Sequence, residues 1–271
     1  MEINKRFKTP LRWPGGKSRA IYKLNKEMGE IDEITEIRDA FLGGGSYPLY
    51  LSQLYPEKKV WVNDIYFPVY NFWIQLRDNC TELKGKLLKL IKEHFTIFSR
   101  KLLFIEMKEV MNDSEETLLD RAVAFYIVNK CSFSGLTENS SFSAGSSIQN
   151  FKESIIKSLP YYSKIIQNWK ITNLDYTELL DNSPHFFIYL DPPYDITSNL
   201  YGKKGKLHKN FDHDTFRKQV LKHQNAKILI SYNKEIEGLN NITFPLTYTM
   251  RSNKKYNENQ KKRQEVIIKT F

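Results

Sequence analysis

The sequence lacks the features that mark a membrane-embedded or secreted protein. Its longest notable apolar run, residues 186–190 (Phe-Phe-Ile-Tyr-Leu), is far shorter than the roughly 20 residues that a membrane helix requires. The first 17 residues contain no apolar segment of the kind found in signal peptides. The chain has 2 cysteines, Cys80 and Cys131, in different regions. We therefore expect a protein of the reducing cytoplasm, with no disulfide scaffold and no membrane partner.

The sequence also offers little for metal, triad or triphosphatase chemistry. Its 5 histidines make no metal-ligand spacing with the cysteines, so we expect no metal site. No arrangement of Ser, His and Asp predicts a hydrolase triad. Gly16-Lys17-Ser18 would close a phosphate-binding loop, but the position that this loop needs as its first glycine is Leu11. A nucleoside triphosphatase is therefore disfavoured.

Positive charge is what the sequence has in excess. Lysine and arginine number 41 against 31 for aspartate and glutamate, which gives a formal net charge of +10. Such an excess is typical of proteins that bind a polyanion, although solvated surface lysines would give the same count. The excess is concentrated at residues 251–271 and at residues 202–209, a glycine-broken stretch suited to follow phosphates.

Short runs rich in β-branched and aromatic residues alternate with helical patterns. They predict five strands, at residues 35–41, 59–62, 170–174, 186–190 and 227–230. Each is followed within three residues by Gly, Asp, Asn or Pro. The alternation predicts an α/β fold with a mainly parallel sheet. Ligands of such sheets bind outside the carboxyl ends of the strands, so we expect the functional residues there.

The middle of the chain follows a different pattern. Residues 116–130 have the apolar face of a helix, and residues 131–147 form a polar stretch rich in Ser and Gly that predicts a loop. Helical patterns of this kind dominate residues 72–160. We therefore predict a second, mainly helical domain at residues 72–160, inserted into an α/β domain made of residues 1–71 and 161–271; the resemblance described below implies that the insert is a target-recognition domain and the α/β part the catalytic domain.

The most specific local pattern is Asp-Pro-Pro-Tyr at residues 191–194, directly after the fourth predicted strand. Two prolines could simply stiffen a turn that closes the strand. The chemical interpretation is amine methylation, because the N6 lone pair of adenine is delocalised into the ring and is a poor nucleophile. The carboxylate of Asp191 and the carbonyl of Pro192 can accept the two N6 hydrogens and so localise the lone pair. Tyr194 offers its ring to a base lifted out of the helix.

Two weaker patterns point to a nucleotide-like cofactor. A glycine-rich turn at residues 43–45 follows the first strand, where glycine lets a ligand approach the backbone closely. Asp64 ends the second strand about 20 positions further on, the spacing at which a carboxylate binds the ribose hydroxyls of an adenosine cofactor. Either pattern alone could be an ordinary turn. The two patterns together, in this order along the chain, favour a cofactor site.

Together these motifs resemble the Dam-like family (D12 class, alpha group) of DNA adenine-N6 methyltransferases, over most of the chain and in the family's order. The family's Trp-x-Gly-Gly-Lys segment is matched by Trp13-Pro14-Gly15-Gly16-Lys17, and its glycine loop is similar to residues 41–46. Its acidic strand end is similar to Asn63-Asp64, and its Asp-Phe/Tyr pair to Asp175-Tyr176. Its catalytic tetrapeptide is similar to residues 191–194.

The resemblance implies a Rossmann-like, S-adenosylmethionine-dependent methyltransferase sheet with an inserted recognition domain. It implies site-specific methyl transfer from S-adenosylmethionine to N6 of a flipped adenine in double-stranded DNA. The implied catalytic residues are Asp191, Pro192, Pro193 and Tyr194. The implied cofactor-binding residues are Trp13, Gly15, Gly16, Lys17, Phe41, Gly43, Gly45, Ser46, Asp64, Asp175, Tyr176 and Asp191.

The recognition segment keeps only the outline of the family's Asn-Arg-x-x-Phe/Tyr-Asn-Gly-Leu-x-Arg. At residues 129–138 it has Ser134 in place of the asparagine and Glu138 in place of the last arginine. An ionised Glu138 suits a hydrogen-bond donor rather than the acceptor edge of guanine, unless it points to solvent and a neighbour reads the base. We therefore expect a target other than GATC. The expected DNA-binding residues are Lys130, Phe133, Ser134, Leu136, Thr137, Glu138, Asn139, Lys203 and Lys204.

Two other functions stay open on the sequence alone. Related tetrapeptides serve enzymes that methylate RNA or a protein glutamine, and a catalytically inactive DNA-binding regulator would keep the same fold. The size of the insert and the intact tetrapeptide favour a DNA-methylating enzyme. A cognate restriction endonuclease is a candidate partner, and we expect a cytoplasmic monomer.

Overall fold

A computed structural model describes residues 8–195, 205–245 and 264–271. Within these residues seven strands form one sheet in the order β3-β2-β1-β4-β5-β7-β6. Strands β1 to β5 pair in parallel, whereas β7 is antiparallel to both β5 and β6. The strands are β1 (Glu36–Asp39), β2 (Lys59–Asn63), β3 (Trp169–Thr172), β4 (Phe186–Leu190), β5 (Lys227–Tyr232), β6 (Asn240–Pro245) and β7 (Gln264–Lys269). The expected α/β class is confirmed.

Several of the described helices start where a side chain accepts a bond from one of their first backbone N–H groups. Thr96, Thr117 and Asp212 each accept such a bond at the start of α5, α6 and α11. In chain order the helices are α1 (Ile21–Met28), α2 (Ser46–Leu54), α3 (Phe67–Asp78), α4 (Cys80–Glu93), α5 (Ile97–Val110), α6 (Leu118–Cys131), α7 (Ala144–Asn150), α8 (Glu153–Ile156), α9 (Leu159–Ile165), α10 (Lys206–Lys209) and α11 (His213–Lys222).

Both faces of the central strands are buried, which explains their near-continuous apolar sequence. In β4, Phe187 and Tyr189 pack into the larger hydrophobic cluster, which includes α1 to α6. The alternate residues Ile188 and Leu190 pack into a second cluster with Phe216 of α11. Because side chains alternate along a strand, one five-residue run supplies both cores.

The helical block in the middle of the chain shares the larger core with the sheet. Residues 122–131 of α6 are buried throughout, and α6 packs against α3 and α5. The predicted boundary at residue 72 falls inside α3, and the one at residue 160 falls inside α9. The helical character of the block is confirmed, and its division as a separate domain stays a prediction.

The five predicted strands correspond to β1 to β5, with ends that differ by up to two residues. Strands β6 and β7 were not predicted. The stretch at residues 131–147, expected to be a loop, contains two short 3-10 helices, Phe133–Gly135 and Thr137–Asn139, and the start of α7. Its backbone is therefore more ordered than its composition indicates.

The strand order places a crevice between β1 and β4. Successive strands β2 and β3 lie on one side of β1, and β4 and β5 lie on the other. Loops leaving the carboxyl ends of β1 and β4 therefore diverge and open a space between them, which is where open α/β sheets bind ligands.

Candidate active site

A cleft of about 410 Å³ lies at the carboxyl ends of β1, β2 and β4, a volume typical of small-molecule sites. Most of the implied cofactor-binding residues line it. These are Trp13, Gly16, Lys17, Phe41, Gly43, Gly45, Ser46, Asp64, Asp175, Tyr176 and Asp191, together with Pro193 of the tetrapeptide. Gly15, Pro192 and Tyr194 adjoin the cleft without lining it.

Asp191 is held at the end of β4 by an ion pair with Lys17. The Lys17 ammonium lies 2.7 Å from one carboxylate oxygen of Asp191 and 2.9 Å from the other, and it also donates to the Gly15 carbonyl at 3.0 Å. Lys17 is 3% exposed and the Asp191 side chain 21%. Burial raises the pKa of Asp191 to about 6, even though Lys17 lowers it. The carboxylate is thus ionised at neutral pH and poorly solvated.

The tyrosine of the tetrapeptide is anchored by a residue that the sequence analysis did not identify. The Tyr194 hydroxyl donates to Oε1 of Glu265 on β7 at 2.5 Å. The same oxygen lies 3.4 Å from the Lys17 ammonium, and Glu265 is 1% exposed. The Lys17 ammonium also lies 5.0 Å from the centroid of the Tyr194 ring. The two ends of the tetrapeptide are therefore linked through Lys17 and Glu265.

The glycine turn after β1 is shaped by two tryptophans. At Gly43, which has φ +45°, an added Cβ would lie 2.4 Å from the indole nitrogen of Trp13. The indole of Trp73 donates to the Gly43 carbonyl at 3.0 Å. Gly45 then precedes α2, whose first residue is the buried Ser46. Only glycine fits at position 43, because both the space and the left-handed backbone exclude a side chain.

Asp64 connects the turn after β2 to the glycine turn. Its Oδ2 accepts the Gly43 N–H at 2.8 Å, and its Oδ1 accepts the Tyr66 N–H at 2.9 Å. Burial raises the pKa of Asp64 to about 6, partly offset by these two bonds. Each carboxylate oxygen can accept a second hydrogen bond. Asp64 can therefore bind two adjacent hydroxyls without releasing the backbone.

Aromatic rings form the opposite wall of the cleft. The rings of Phe41 and Tyr176 stack with centroids 5.4 Å apart, and Phe211 meets each at 5.8 Å. Tyr176 is placed by Asp175, which accepts the Thr177 N–H at 3.0 Å at the start of a 3-10 helix. A flat apolar ring such as a purine could stack in this wall.

Asp39 and Phe211 are further cleft residues that the sequence analysis missed. Asp39, the last residue of β1, is 2% exposed, and burial raises its pKa well above the usual range of a carboxyl group. Its place at a strand end beside the glycine turn could have identified it. Phe211 lies in a polar stretch before α11, and no local pattern signals its role.

The recognition segment is fastened to the N-terminal segment by Arg12 and Asn129. The Asn129 amide accepts the Arg12 N–H at 2.9 Å and donates to the Arg12 carbonyl at 2.6 Å. The Arg12 guanidinium donates to the Ser132 carbonyl at 2.8 Å. Arg12 precedes Trp13 in the chain, so adjacent residues contact the recognition segment and the glycine turn.

The backbone of the recognition segment takes an unusual path. Ser134 and Thr137 have φ of 54° and 49°, a region that residues other than glycine rarely adopt. At Gly135, with φ +74°, an added Cβ would lie 2.9 Å from Arg12. The Phe133 side chain is 53% exposed, whereas Thr137 is 6% exposed. Leu136 and Asn139 are partly exposed. Phe133 is thus the member of this segment most open to a partner.

Glu138 contacts other protein groups in this structure. Its Oε1 accepts from the Tyr66 hydroxyl at 2.8 Å, and its Oε2 accepts from the Asn112 amide at 3.0 Å. A direct base contact by Glu138 would have to share or replace these bonds. Its role in target choice therefore stays a prediction.

Lys130 does not occupy the position expected of a DNA contact. It is 3% exposed, and its ammonium lies 5.1 Å from the centroid of the Tyr126 ring. Burial, with the nearby charge of Arg12, lowers the pKa of Lys130 to about 7. The Lys130 side chain lies in the interior of the protein, so we no longer expect it to contact DNA. Lys203 and Lys204 lie outside the described residues, as do residues 251–263 of the basic C-terminal stretch.

Two general expectations can be compared with the described part of the chain. In that part, no group of three or more His, Cys, Asp or Glu side chains is arranged to hold a metal ion. Across the same residues, none of the helices combines the length and apolar character needed to cross a membrane.

Comparison with known proteins agrees with this geometry. The family profile described as D12 class N6 adenine-specific DNA methyltransferase matches residues 13–265. The chain is also 27% identical over 205 residues to the Type II methyltransferase M.MjaIII of Methanocaldococcus jannaschii, an alignment that covers 68% of each chain. The profile begins at Trp13 and ends at Glu265, so it spans the whole cleft.

Proposed function

This chain belongs to the D12 class of N6 adenine-specific DNA methyltransferases, and from that premise we propose its methyl donor, its substrate form and the roles of its residues. The donor that we propose is S-adenosylmethionine, and the acceptor is N6 of an adenine flipped out of double-stranded DNA at a specific site. The observation that carries the proposal is the position of Asp191. Its carboxylate lies in the same cleft as the glycine turn and Asp64.

The cleft fits the proposed donor. S-adenosylmethionine, when bound, supplies an electrophilic methyl group. Asp64 keeps a free acceptor position on each oxygen for the ribose hydroxyls. The Phe41 and Tyr176 rings can stack on the adenine moiety. The bare backbone of Gly43 lets the donor approach the end of β1.

The chemistry that we propose for the acceptor follows from one carboxylate and one carbonyl. Asp191 accepts a hydrogen bond from one N6 hydrogen, and the Pro192 carbonyl accepts a hydrogen bond from the other. These two bonds localise the nitrogen lone pair towards the methyl donor. Pro193 restricts the backbone at this turn, and the Tyr194 ring faces the extruded base. Asp191 must be ionised for this role, because a protonated carboxyl group would present a donor on one oxygen.

We propose that the recognition segment contacts the duplex through Phe133, whose exposed ring can enter the gap that an extruded base leaves. Ser134, Leu136, Thr137, Glu138 and Asn139 are proposed to shape or read the target, with Lys203 and Lys204 contacting phosphates. The relative M.MjaIII is named a Type II methyltransferase. By analogy, a cognate restriction endonuclease is a proposed partner, and a cytoplasmic monomer remains the expected state.

The decisive experiment is parallel transfer of tritium from labelled S-adenosylmethionine to duplex DNA, RNA and bulk protein. We expect label in duplex DNA, recovered as N6-methyladenine after digestion. Label in RNA or in a protein glutamine would instead support the other amine-methylating activities. No transfer to any acceptor, with duplex binding retained, would support an inactive DNA-binding regulator.

A further inference from the structure

Lys17 creates a difficulty for the proposed role of Asp191. Its ammonium contacts both carboxylate oxygens of Asp191, at 2.7 Å and 2.9 Å. A carboxylate that is held by an ammonium on both oxygens accepts a further hydrogen bond less strongly, because its charge is already neutralised. Asp191 has to turn an oxygen towards the adenine amine. Another negatively charged group should therefore pair with the Lys17 ammonium when Asp191 binds the adenine amine.

Glu265 is placed to do so. Its Oε1 lies 3.4 Å from the Lys17 ammonium, an ion pair longer than the two contacts between Lys17 and Asp191. A normal charge-assisted bond is about 2.8 Å long, so a shift of roughly 0.6 Å would bring Lys17 into contact with Glu265. Lys17 and Glu265 are both almost fully buried. Water therefore offers little competition for this pair.

Glu265 is also an unexpected residue in its strand. It is followed on β7 by Val266, Ile267 and Ile268, all buried in the core. A buried carboxylate lowers stability unless it is paired, and even paired it adds little to stability. Its contacts with Lys17 and Tyr194 join it to the cleft. A role in the reaction explains why a charge stands there.

Resting on the proposed function, we propose that Glu265 is a positioning residue that serves as the second carboxylate for Lys17. When Lys17 moves towards Glu265, one oxygen of Asp191 becomes free to accept the N6 hydrogen of adenine. The Glu265 oxygen that receives Lys17 already accepts the Tyr194 hydroxyl. Glu265 therefore also fixes the ring that faces the base. No bond is made or broken in this step, and the lysine proton stays on the lysine.

The test compares Glu265→Gln, which removes the charge but keeps an oxygen for Tyr194, with Glu265→Asp, which keeps the charge. The matched control is Glu36→Gln, which removes a carboxylate paired with Arg38 at the opposite end of the sheet. We expect Glu265→Gln to lower kcat by about 10–100-fold, the range seen when groups that orient a metal ligand are removed, with KM for both substrates little changed. Glu265→Asp should recover part of the loss, and Glu36→Gln should not change kcat.

A second measurement separates positioning from a merely structural role and does not require activity. The groups that face Asp191 are Lys17, Glu265, Asp39 of β1 and Tyr189 of β4. The negative charge of Glu265 raises the pKa of Asp191. Carbon-13 NMR of labelled aspartate in Glu265→Gln should therefore show Asp191 titrating at lower pH than in the wild type, assigned by its absence in Asp191→Asn.

The outcomes distinguish this proposal from the proposed function. An unchanged kcat and an unchanged Asp191 titration in Glu265→Gln would overturn the role of Glu265 while leaving the enzyme's activity in place. A rise in KM alone would also overturn it, because the residue would then serve binding. Failure of the wild type to methylate adenine would reject the proposed function itself. If Glu265→Gln does not fold, the test uses Glu265→Asp. A folded Glu265→Asp in which Asp191 titrates as in the wild type, but which has lost activity, would contradict the charge-sharing role.

Discussion

The cleft at the carboxyl ends of β1, β2 and β4 and the recognition segment are built in different ways. In the cleft, Asp64 and Asp191 follow the ends of parallel strands; Asp64 is held by backbone N–H groups of Gly43 and Tyr66, and Asp191 by the Lys17 ammonium. The recognition segment follows a helix and keeps Ser134 and Thr137 at positive φ. It is secured by side-chain bonds to distant residues: Arg12 bonds Asn129, and Tyr66 and Asn112 bond Glu138. The cleft is thus built mainly at strand ends, whereas the recognition segment depends on bonds to distant residues, of which Tyr66 also bonds Asp64.

The largest effect should come from Asp191, because its proposed role is to act on the reacting amine. Asp191→Asn places an amide donor where an acceptor is needed, so we expect kcat to fall on the order of 10²–10³-fold. In the wild type, the Asp191 pKa of about 6 predicts that kcat falls as pH drops through 6, because protonation removes the acceptor. Steady-state kinetics from pH 5 to 8 checks both statements.

The control for Asp191→Asn is Asp181→Asn, an exposed carboxylate near Arg38 and away from the cleft. Duplex affinity of Asp191→Asn should stay close to that of the wild type, because the recognition segment is untouched. Turnover of Asp191→Asn close to that of the wild type would remove Asp191 from the mechanism. A large loss of duplex affinity would show that the two regions are less independent than their contacts indicate.

A smaller effect is expected at Asp64, which lines the cleft. Asp64→Ala should weaken S-adenosylmethionine binding by about 1–3 kcal/mol, the scale of a hydrogen bond to a charged group. Isothermal titration calorimetry measures this directly. Asp78→Ala removes a surface partner of Arg77 and serves as the control. Unchanged cofactor affinity in Asp64→Ala would refute the ribose-binding role.

The smallest of these effects is expected at Gly135, which belongs to the recognition segment. An alanine there meets Arg12 at 2.9 Å and must adopt φ +74°, a conformation that costs about 1–2 kcal/mol. Gly135→Ala should therefore lower duplex affinity by about tenfold, with less effect on the cofactor. Gly145→Ala is the matched control, because a Cβ at that position has no heavy atom within 4 Å.

The affinities of Gly135→Ala for S-adenosylmethionine and for duplex DNA should be measured together, because their ratio tests the comparison of the two regions. If cofactor affinity falls as much as duplex affinity, strain at position 135 reaches the cleft, either through Arg12 to Trp13 or through Glu138 and Tyr66 to Asp64. Equal losses for both ligands would therefore contradict an effect confined to duplex binding.

The cleft and the recognition segment also differ in how much of each could be predicted from the sequence. Asp64 and Asp191 were predictable as cleft residues because each belongs to a local motif that comes directly after a strand, β2 or β4. Glu265 was missed because its contacts, Lys17 and Tyr194, are far away in sequence and β7 follows a charged stretch. Lys130 was expected at the surface because its neighbours in the chain do not reveal that residues 122–131 of α6 are buried throughout.

The most direct test of the account is to map N6-methyladenine by single-molecule sequencing in DNA from cells that express this protein and lack other adenine methyltransferases. The account predicts modified adenine within one short sequence other than GATC, and no modification when Asp191→Asn is expressed instead. Genomic DNA without N6-methyladenine would contradict the proposed reaction. Modification at GATC alone would contradict the interpretation of the recognition segment.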